Sequence, residues 1–230
     1  MHRKIGTFIN GLIGIVVLSG LTFASIGYGS VPIREYYDSG QLKSEKFDEN
    51  GKIEGSAKTY YENGKIENEK LFKNGKLEGP CKSYYENGAL EREEAYKNGK
   101  RDGLLKEYSE DGQLMGETTY KEGILDGPFK RCADLSAVKK WKLYEEGSFK
   151  MGKLDGLFKR YGFEQELIGE WFFKGGKLEG PFREYLDDGQ PKAEGVYKGG
   201  ERENCSGTCQ SFMLASPPEY AENGERLTFY

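Results

Sequence analysis

Residues 58–80 read KTYYENGKIENEKLFKNGKLEGP and residues 82–104 read KSYYENGALEREEAYKNGKRDGL, the same pattern set down twice, 24 residues apart. In each copy, short runs of Tyr, Phe, Leu and Ile are separated by Asn-Gly. Asn-Gly between such runs signals a hairpin, because a tight turn between strands needs positive φ and glycine accepts it without steric cost. Each unit therefore predicts a strand, a turn and a returning strand.

Working outward, the pattern recurs along most of the chain. Turn glycines fall at Gly51, Gly64, Gly75, Gly88, Gly99, Gly112 and Gly123, at alternating intervals of 11 and 13, and resume after a five-residue insertion at Gly152 and Gly176. One half-unit reads REYYDSGQLK at 34–43 and REYLDDGQPK at 183–192; the other reads FDENGKIEGS at 47–56 and FFKGGKLEGP at 172–181. Pro80, Pro128 and Pro181 stand just after a turn glycine, where a strand can start without that N–H. The insertion, near Ala133 to Trp141, is expected to break the ladder, and the turn glycine is lost at Ser136 and Gln165.

A lone hairpin is marginal in water, so the units must stack. The predicted fold class is all-β: a single-layer elongated antiparallel sheet of stacked β-hairpin repeats, preceded by one N-terminal apolar helix. About fourteen strands at ~4.8 Å would give a ribbon of roughly 65 Å. No helical pattern follows that would cover the sheet, so stacked equivalent side chains must replace an ordinary core. Three apolar columns carry this: Tyr36, Tyr60, Tyr84, Tyr108, Cys132, Tyr161 and Tyr185; Phe72, Tyr96, Tyr120, Phe149, Phe173 and Tyr197; and Leu42, Ile66, Leu90, Leu114, Leu143 and Leu167. A fourth, Ala57, Cys81, Leu105, Phe129, Phe158 and Phe182, is offset by three residues from the Tyr60 column and so belongs on the opposite face.

Composition agrees and excludes much. The 230 residues are 36% hydrophobic and 31% charged, with 33 glycines, 16 tyrosines and 13 phenylalanines, which suits a sheet-rich repeat better than a helical core. The only histidine is His2, so the body has no imidazole for a nucleophile system or a histidine-held metal. There is no Walker A sequence and no Gly-rich kinase loop, and no catalytic residue, cofactor or metal is expected. The formal net charge of −4 gives no electrostatic reason for a nucleic-acid partner.

The N-terminus is separate. Met1-His2-Arg3-Lys4 precedes an uncharged run from Ile5 to Ile33. This reads as a signal peptide or a transmembrane anchor over residues 1–30, and with Arg3 and Lys4 held inside, the body crosses the cytoplasmic membrane to its outer side. The domain reading is thus 1–30 targeting or anchor segment, 31–204 about seven repeats, and 205–230 a degenerate repeat or cap that contains YAENGERLTF at 220–229.

The YYENG and NGKLEG segments resemble the MORN-type repeats, in the bacterial variant of the YwqK-like antitoxin group. The resemblance covers residues 34–204 and implies a twisted antiparallel sheet that binds a protein or a membrane without catalysis. The function expected is an exported or membrane-anchored interaction platform with a protein partner, the membrane being met through the N-terminal segment. The alternative is an antitoxin or immunity protein that neutralises a partner toxin.

Three features are candidate sites. Tyr60, Tyr84, Tyr108, Tyr161 and Tyr185 form a candidate aromatic binding face, or else the ladder that holds the sheet. Glu45, Glu69, Glu93, Glu117, Glu146, Glu170 and Glu194 form one acidic column and Glu54, Glu78, Asp102, Asp126, Asp155, Glu179 and Glu203 another, beside basic columns at Lys58, Lys82, Lys106, Lys130, Lys159, Arg183 and at Lys73, Lys97, Lys121, Lys150, Lys174, Lys198. They are read as acid and base paired across strands, with docking of a charged partner or calcium collection as the functional alternative. Cys205 and Cys209, in CSGTC, are a candidate local disulfide or two free thiols. Cys81 and Cys132, two units apart, lie beyond the roughly 7 Å that a bridge allows.

Overall fold

The computed structural model describes residues 32–135, 140–209, 219–220 and 226–227. The expected N-terminal helix lies outside them, as do Ser136 and the targeting segment. The strands are β1 (Pro32–Tyr36), β2 (Leu42–Glu49), β3 (Lys52–Ile53), β4 (Gly55–Tyr60), β5 (Ile66–Lys73), β6 (Lys76–Leu77), β7 (Gly79–Tyr84), β8 (Leu90–Lys97), β9 (Lys100–Arg101) and β10 (Gly103–Tyr108). They continue as β11 (Leu114–Lys121), β12 (Ile124–Leu135), β13 (Lys140–Lys150), β14 (Lys153–Leu154), β15 (Gly156–Tyr161), β16 (Leu167–Lys174), β17 (Lys177–Tyr185), β18 (Pro191–Lys198) and β19 (Glu201–Gly207). All nineteen join one antiparallel sheet; β3, β6, β9 and β14 are two-residue extensions that pair only with β2, β5, β8 and β13, and the fifteen longer strands pair with one another in sequence order. A separate pair, β20 (Glu219–Tyr220) and β21 (Arg226–Leu227), lies in the degenerate segment.

The two turn classes follow from sequence. At Asn74-Gly75, φ is 53° and 76°, both positive, between the paired Lys73 and Lys76. That is the two-residue turn whose twist matches a hairpin. On the other long edge, Tyr61 N–H donates to Lys65 O at 2.8 Å and Gly64 N–H to Tyr61 O at 2.9 Å, closing a longer loop with Gly64 at φ 84°. Gln165 holds the same left-handed position as a non-glycine, at φ 71°.

The insertion does not break the ladder. β12 and β13 pair from Gly127↔Phe149 to Leu135↔Lys140, so the extra residues lengthen one hairpin beyond the others and the neighbouring repeats keep their register. Extending two strands that are already paired costs less than opening the sheet, because every backbone group then keeps a partner.

Directly paired residues share a face, and faces alternate along a strand. Ala57↔Lys70, Cys81↔Glu94, Leu105↔Thr118, Phe129↔Gly147, Phe158↔Trp171 and Phe182↔Gly195 define one face, here the aromatic face. Lys58↔Glu69 and its equivalents define the other, the ladder face. The aromatic face is where the structure departs from the expectation of a sheet without a core. Leu125, Phe129, Phe149, Leu154, Phe158, Trp171, Phe173, Leu178, Phe182 and Ala193 form one buried cluster, with Phe158 only 1% exposed. Rings of the Phe129 and Phe149 columns meet directly, with centroids at 4.8 Å for Phe129–Phe149 and 4.9 Å for Phe182–Tyr197. Glycines opposite make the room: a Cβ on Gly147 would stand 3.0 Å from Phe129 and 3.2 Å from Phe158.

Candidate interaction surface

The ladder face carries most of the predicted site residues. Lys58 Nζ lies 2.8 Å from Glu69, Lys82 3.4 Å from Glu93 and Lys106 3.7 Å from Glu117, while Arg183 reaches both Glu170 and Glu194 at 3.7 Å. This pair of columns therefore neutralises itself across strands. The hydrogen bond from Lys58 holds the Glu69 carboxyl below its ordinary range, and the same bond raises Lys58.

The tyrosine column joins that ladder. Tyr60, Tyr84, Tyr108, Tyr161 and Tyr185 are all half-buried. Tyr84 Oη donates to Glu69 at 3.0 Å and Tyr161 Oη to Glu146 at 2.7 Å. Burial first, then that bond to Glu146, pushes the Tyr161 hydroxyl up to about 12. The Tyr84 and Tyr161 hydroxyls are thus bonded within the sheet, as the ladder reading of this column requires.

The second pair of columns does not pair as expected. Every acidic residue of the column but Glu203 accepts a backbone N–H from the two-residue turn of the next repeat: Asn74 N–H donates to Glu54 at 2.6 Å, Asn98 to Glu78 at 2.7 Å, Glu122 to Asp102 at 3.1 Å, Met151 to Asp126 at 3.4 Å, Gly175 to Asp155 at 3.1 Å and Gly199 to Glu179 at 2.7 Å. Beside it, the turn glycine N–H donates to a carbonyl of the same preceding repeat, as Gly75 to Ile53 at 3.0 Å and Gly99 to Leu77 at 2.8 Å. The turns from Asn74-Gly75 onward are thus clipped to the repeat before them, whereas Gly51 N–H of the first turn donates to Asp48 of its own strand. A carboxylate that receives a backbone N–H satisfies a donor that no strand can reach, a stronger claim than a solvent-exposed ion pair. This explains the acidic residue in NGKLEG. It also uses the row once considered for calcium; among the described residues no group of three or more His, Cys, Asp or Glu could hold a metal.

The lysines of that pairing are left over. Lys73, Lys97, Lys121, Lys150 and Lys174, with their strand partners Lys76, Lys100, Lys153 and Lys177, are exposed, and among the described residues none lies in an ion pair; in the column only Lys198 does, with Glu203 at 3.5 Å.

Next to these lysines runs a row that sequence reading missed. Ser56↔Leu71, Pro80↔Ala95, Leu104↔Thr119, Pro128↔Ser148, Leu157↔Phe172 and Pro181↔Val196 lie side by side on the ladder face. Leu71 is 40% exposed, Leu104 41%, Phe172 38% and Val196 37%. The row escaped notice because it alternates between two phases of the repeat, neither of which is apolar throughout. Only pairing the phases 15 residues apart, as Leu157 with Phe172, would have revealed it.

Cys205 and Cys209 form a disulfide, with Cα atoms 6.1 Å apart. Arg202 donates to Cys209 O at 3.3 Å and lies over the rings of Phe182 and Tyr197, closing the aromatic column at β19. Cys81 and Cys132 are free thiols, each pushed up by burial. All nine predicted turn glycines have positive φ, from 76° at Gly75 to 91° at Gly88.

The family model described as MORN repeat variant matches residues 32–47, 53–74, 77–98, 101–122 and 178–198. No curated protein matches the chain. Among solved structures, a porin-like protein from Bacteroides uniformis ATCC 8492 is 11% identical, over 75% of this chain and 86% of that one, with a TM-score of 0.19. At that score the two folds are not equated.

Proposed function

We propose that this chain, five segments of which match the MORN repeat variant model, is a non-catalytic interaction platform, exported or membrane-anchored with its body on the outer side of the cytoplasmic membrane, and that its partner is a protein. One observation carries the binding reading: an exposed apolar row beside lysines that have no ion-pair partner among the described residues. Scattered exposed hydrophobics need no explanation, whereas a row of apolar side chains, broken between Leu71 and Val196 only at Thr119 and Ser148 and bordered by charge, marks a contact surface. The placement rests on Arg3, Lys4 and the uncharged run that follows. Binding by an antitoxin is a narrower form of the same reading, separated by whether co-expression rescues cells from a toxin encoded beside the gene.

The test is site-specific photo-cross-linking in native cells, with the reactive group placed at Leu104 or Phe172 and, as a control, at Met151 in a two-residue turn. A discrete adduct with another protein from the first two positions alone is the expected result; monomer from all three positions overturns the proposal. Intact mass of the mature protein from the membrane fraction checks the placement.

A further inference from the structure

We infer that the apolar row of the ladder face receives an amphipathic α-helix of a partner protein, with an acidic flank of that helix lying over the Lys73–Lys174 row. This rests on the platform reading above and adds the chemistry of the occupant.

The dimensions come from the register. Along β5, Lys73 lies two residues from Leu71 in one direction and Glu69 two residues in the other. At ~3.3 Å per residue, the flanking rows stand about 7 Å to either side of the apolar row, a channel of about 13 Å. An α-helix with its side chains is about 10–12 Å across, so one helix fills the space between the rows and two do not fit. From Leu71 on β5 to Val196 on β18 the row crosses ten strand-to-strand steps. That is about 48 Å at 4.8 Å per step, the length of about 32 helical residues at 1.5 Å each.

Charge then decides what kind of surface lies there. One border carries the lysines Lys73, Lys97, Lys121, Lys150 and Lys174, unpaired among the described residues and doubled by Lys76, Lys100, Lys153 and Lys177, while the carboxylates beside them, Glu54, Glu78, Asp102, Asp155 and Glu179, are already taken by turn N–H groups. The other border alternates in sign strand by strand, Lys58, Glu69, Lys82, Glu93, Lys106 and Glu117, and is internally paired. An anionic bilayer would meet both borders at once and press its headgroups against the glutamates of the second, where like charges repel. A helix with an apolar stripe and carboxylates on one flank meets the lysines with its acids and the neutral border with either sign. This is the helix-in-groove mode of recognition, with the specificity supplied by the one-sided charge. A second copy of the chain is disfavoured as the occupant, since its described residues contain no helix.

The experiment uses the full chain and three probes: a synthetic helix of about 30 residues with leucines along one stripe and glutamates along one flank, the same helix with lysines in place of the glutamates, and vesicles of phosphatidylglycerol with phosphatidylcholine. Fluorescence anisotropy should show the acidic helix binding at least about tenfold more tightly than the basic one, with the preference shrinking as salt is raised. The double substitution Leu104→Asp with Phe172→Asp should weaken that binding about tenfold or more, while Lys97→Glu with Lys121→Glu should reverse the preference between helices. Circular dichroism of each variant confirms that the sheet is intact; all four side chains are solvent-facing, and a variant that loses its strand signal is replaced by Leu104→Ser with Phe172→Ser. Equal affinity for the two helices, indifference to both double substitutions, or adsorption to the vesicles without helix binding overturns the inference. If the photo-cross-links of the preceding section form while the acidic helix fails to bind, the helix is withdrawn and the platform stands.

Discussion

Between Pro32 and Lys121 the hairpins are stitched along their loop edge, whereas between Ile124 and Gly207 they are filled from within. In the first region Tyr37, Tyr61 and Tyr85 donate their hydroxyls to Tyr60 O, Tyr84 O and Tyr108 O of the next repeat at 2.6, 2.6 and 2.7 Å. Asn63 and Asn87 add side-chain bonds to Glu86 O and Glu110 O. The aromatic face there is thin: opposite Ala57, Cys81 and Leu105 stand Lys70, Glu94 and Thr118. In the second region the same column is phenylalanine, and its partners are Gly147, Trp171 and Gly195. The tyrosine of the loop has become Gly162 and Leu186 and its stitch is gone, leaving at one loop the bonds of Gln165 to Leu143 O and of Lys142 to Phe163 O. Part-buried hydrogen bonds net about 1 kcal/mol each, whereas a fully buried ring is worth about 1.5–3 kcal/mol, so one backbone repeat is secured by two currencies of very different size.

Four comparisons would break or sharpen that contrast. Phe158→Ala should lose about 3–5 kcal/mol, and Cys81→Ala at the same column position about 1 kcal/mol. Urea unfolding followed by hydrogen exchange should show the first opening the 124–207 region and the second barely moving it; equal effects would deny that the halves differ. Gly147→Ala, whose Cβ meets Phe129 at 3.0 Å and Phe158 at 3.2 Å, should cost about 1–3 kcal/mol by overpacking. Gly116→Ala, which meets only the Lys130 carbonyl at 3.1 Å among close neighbours, is the matched control on β11 and should cost less.

Tyr85→Phe removes a stitch that only the first region has, and Asp102→Asn weakens a turn clip that both regions share. Each should cost about 1 kcal/mol, but they differ in place. Tyr85→Phe should speed exchange only before residue 122, which amide exchange by mass spectrometry can read. The smallest effect is on pH. Tyr161 is raised, so the stability it contributes is fully present below its ordinary value near 10 and is lost as pH climbs through about 12. Glu69 is lowered, so its contribution is present above the ordinary glutamate range and is lost as pH falls through its folded value. Alkaline loss should therefore be shallower in Tyr161→Phe, and acid loss shallower in Glu69→Gln, as thermal melts across pH would record.

Much of this was legible in the residues. Asn-Gly pairs at fixed intervals announce turns because positive φ is a local demand, met or refused by the residues at the turn itself. The column from Ala57 to Phe182 was also visible, as was the pairing of Lys58 with Glu69, since both follow from period and alternation. Harder to see was the destination of Glu54, Glu78 and Asp102. Their spacing from Lys73, Lys97 and Lys121 looks like charge balance, and nothing in the spacing says that a backbone N–H one repeat away lies closer than the ammonium. The Tyr37, Tyr61 and Tyr85 stitches were hidden for the same reason, as their acceptors are carbonyls, which a sequence does not distinguish. The insertion at 133–141 was misjudged because a gain of residues between two strands reads alike whether it lengthens a hairpin or interrupts one.

The sequence by itself determined the repeat, its period, the two turns of each unit and the antiparallel order of the strands, because these are settled by conformational preferences of residues close together in the chain. Only the tertiary structure decided which side chains are spent on holding the repeats together and which remain for a partner. Hydrogen bonds and burial between successive units depend on distances across strands, and those distances claim the acidic column and the tyrosines while leaving the lysines and the Leu71–Val196 row unclaimed.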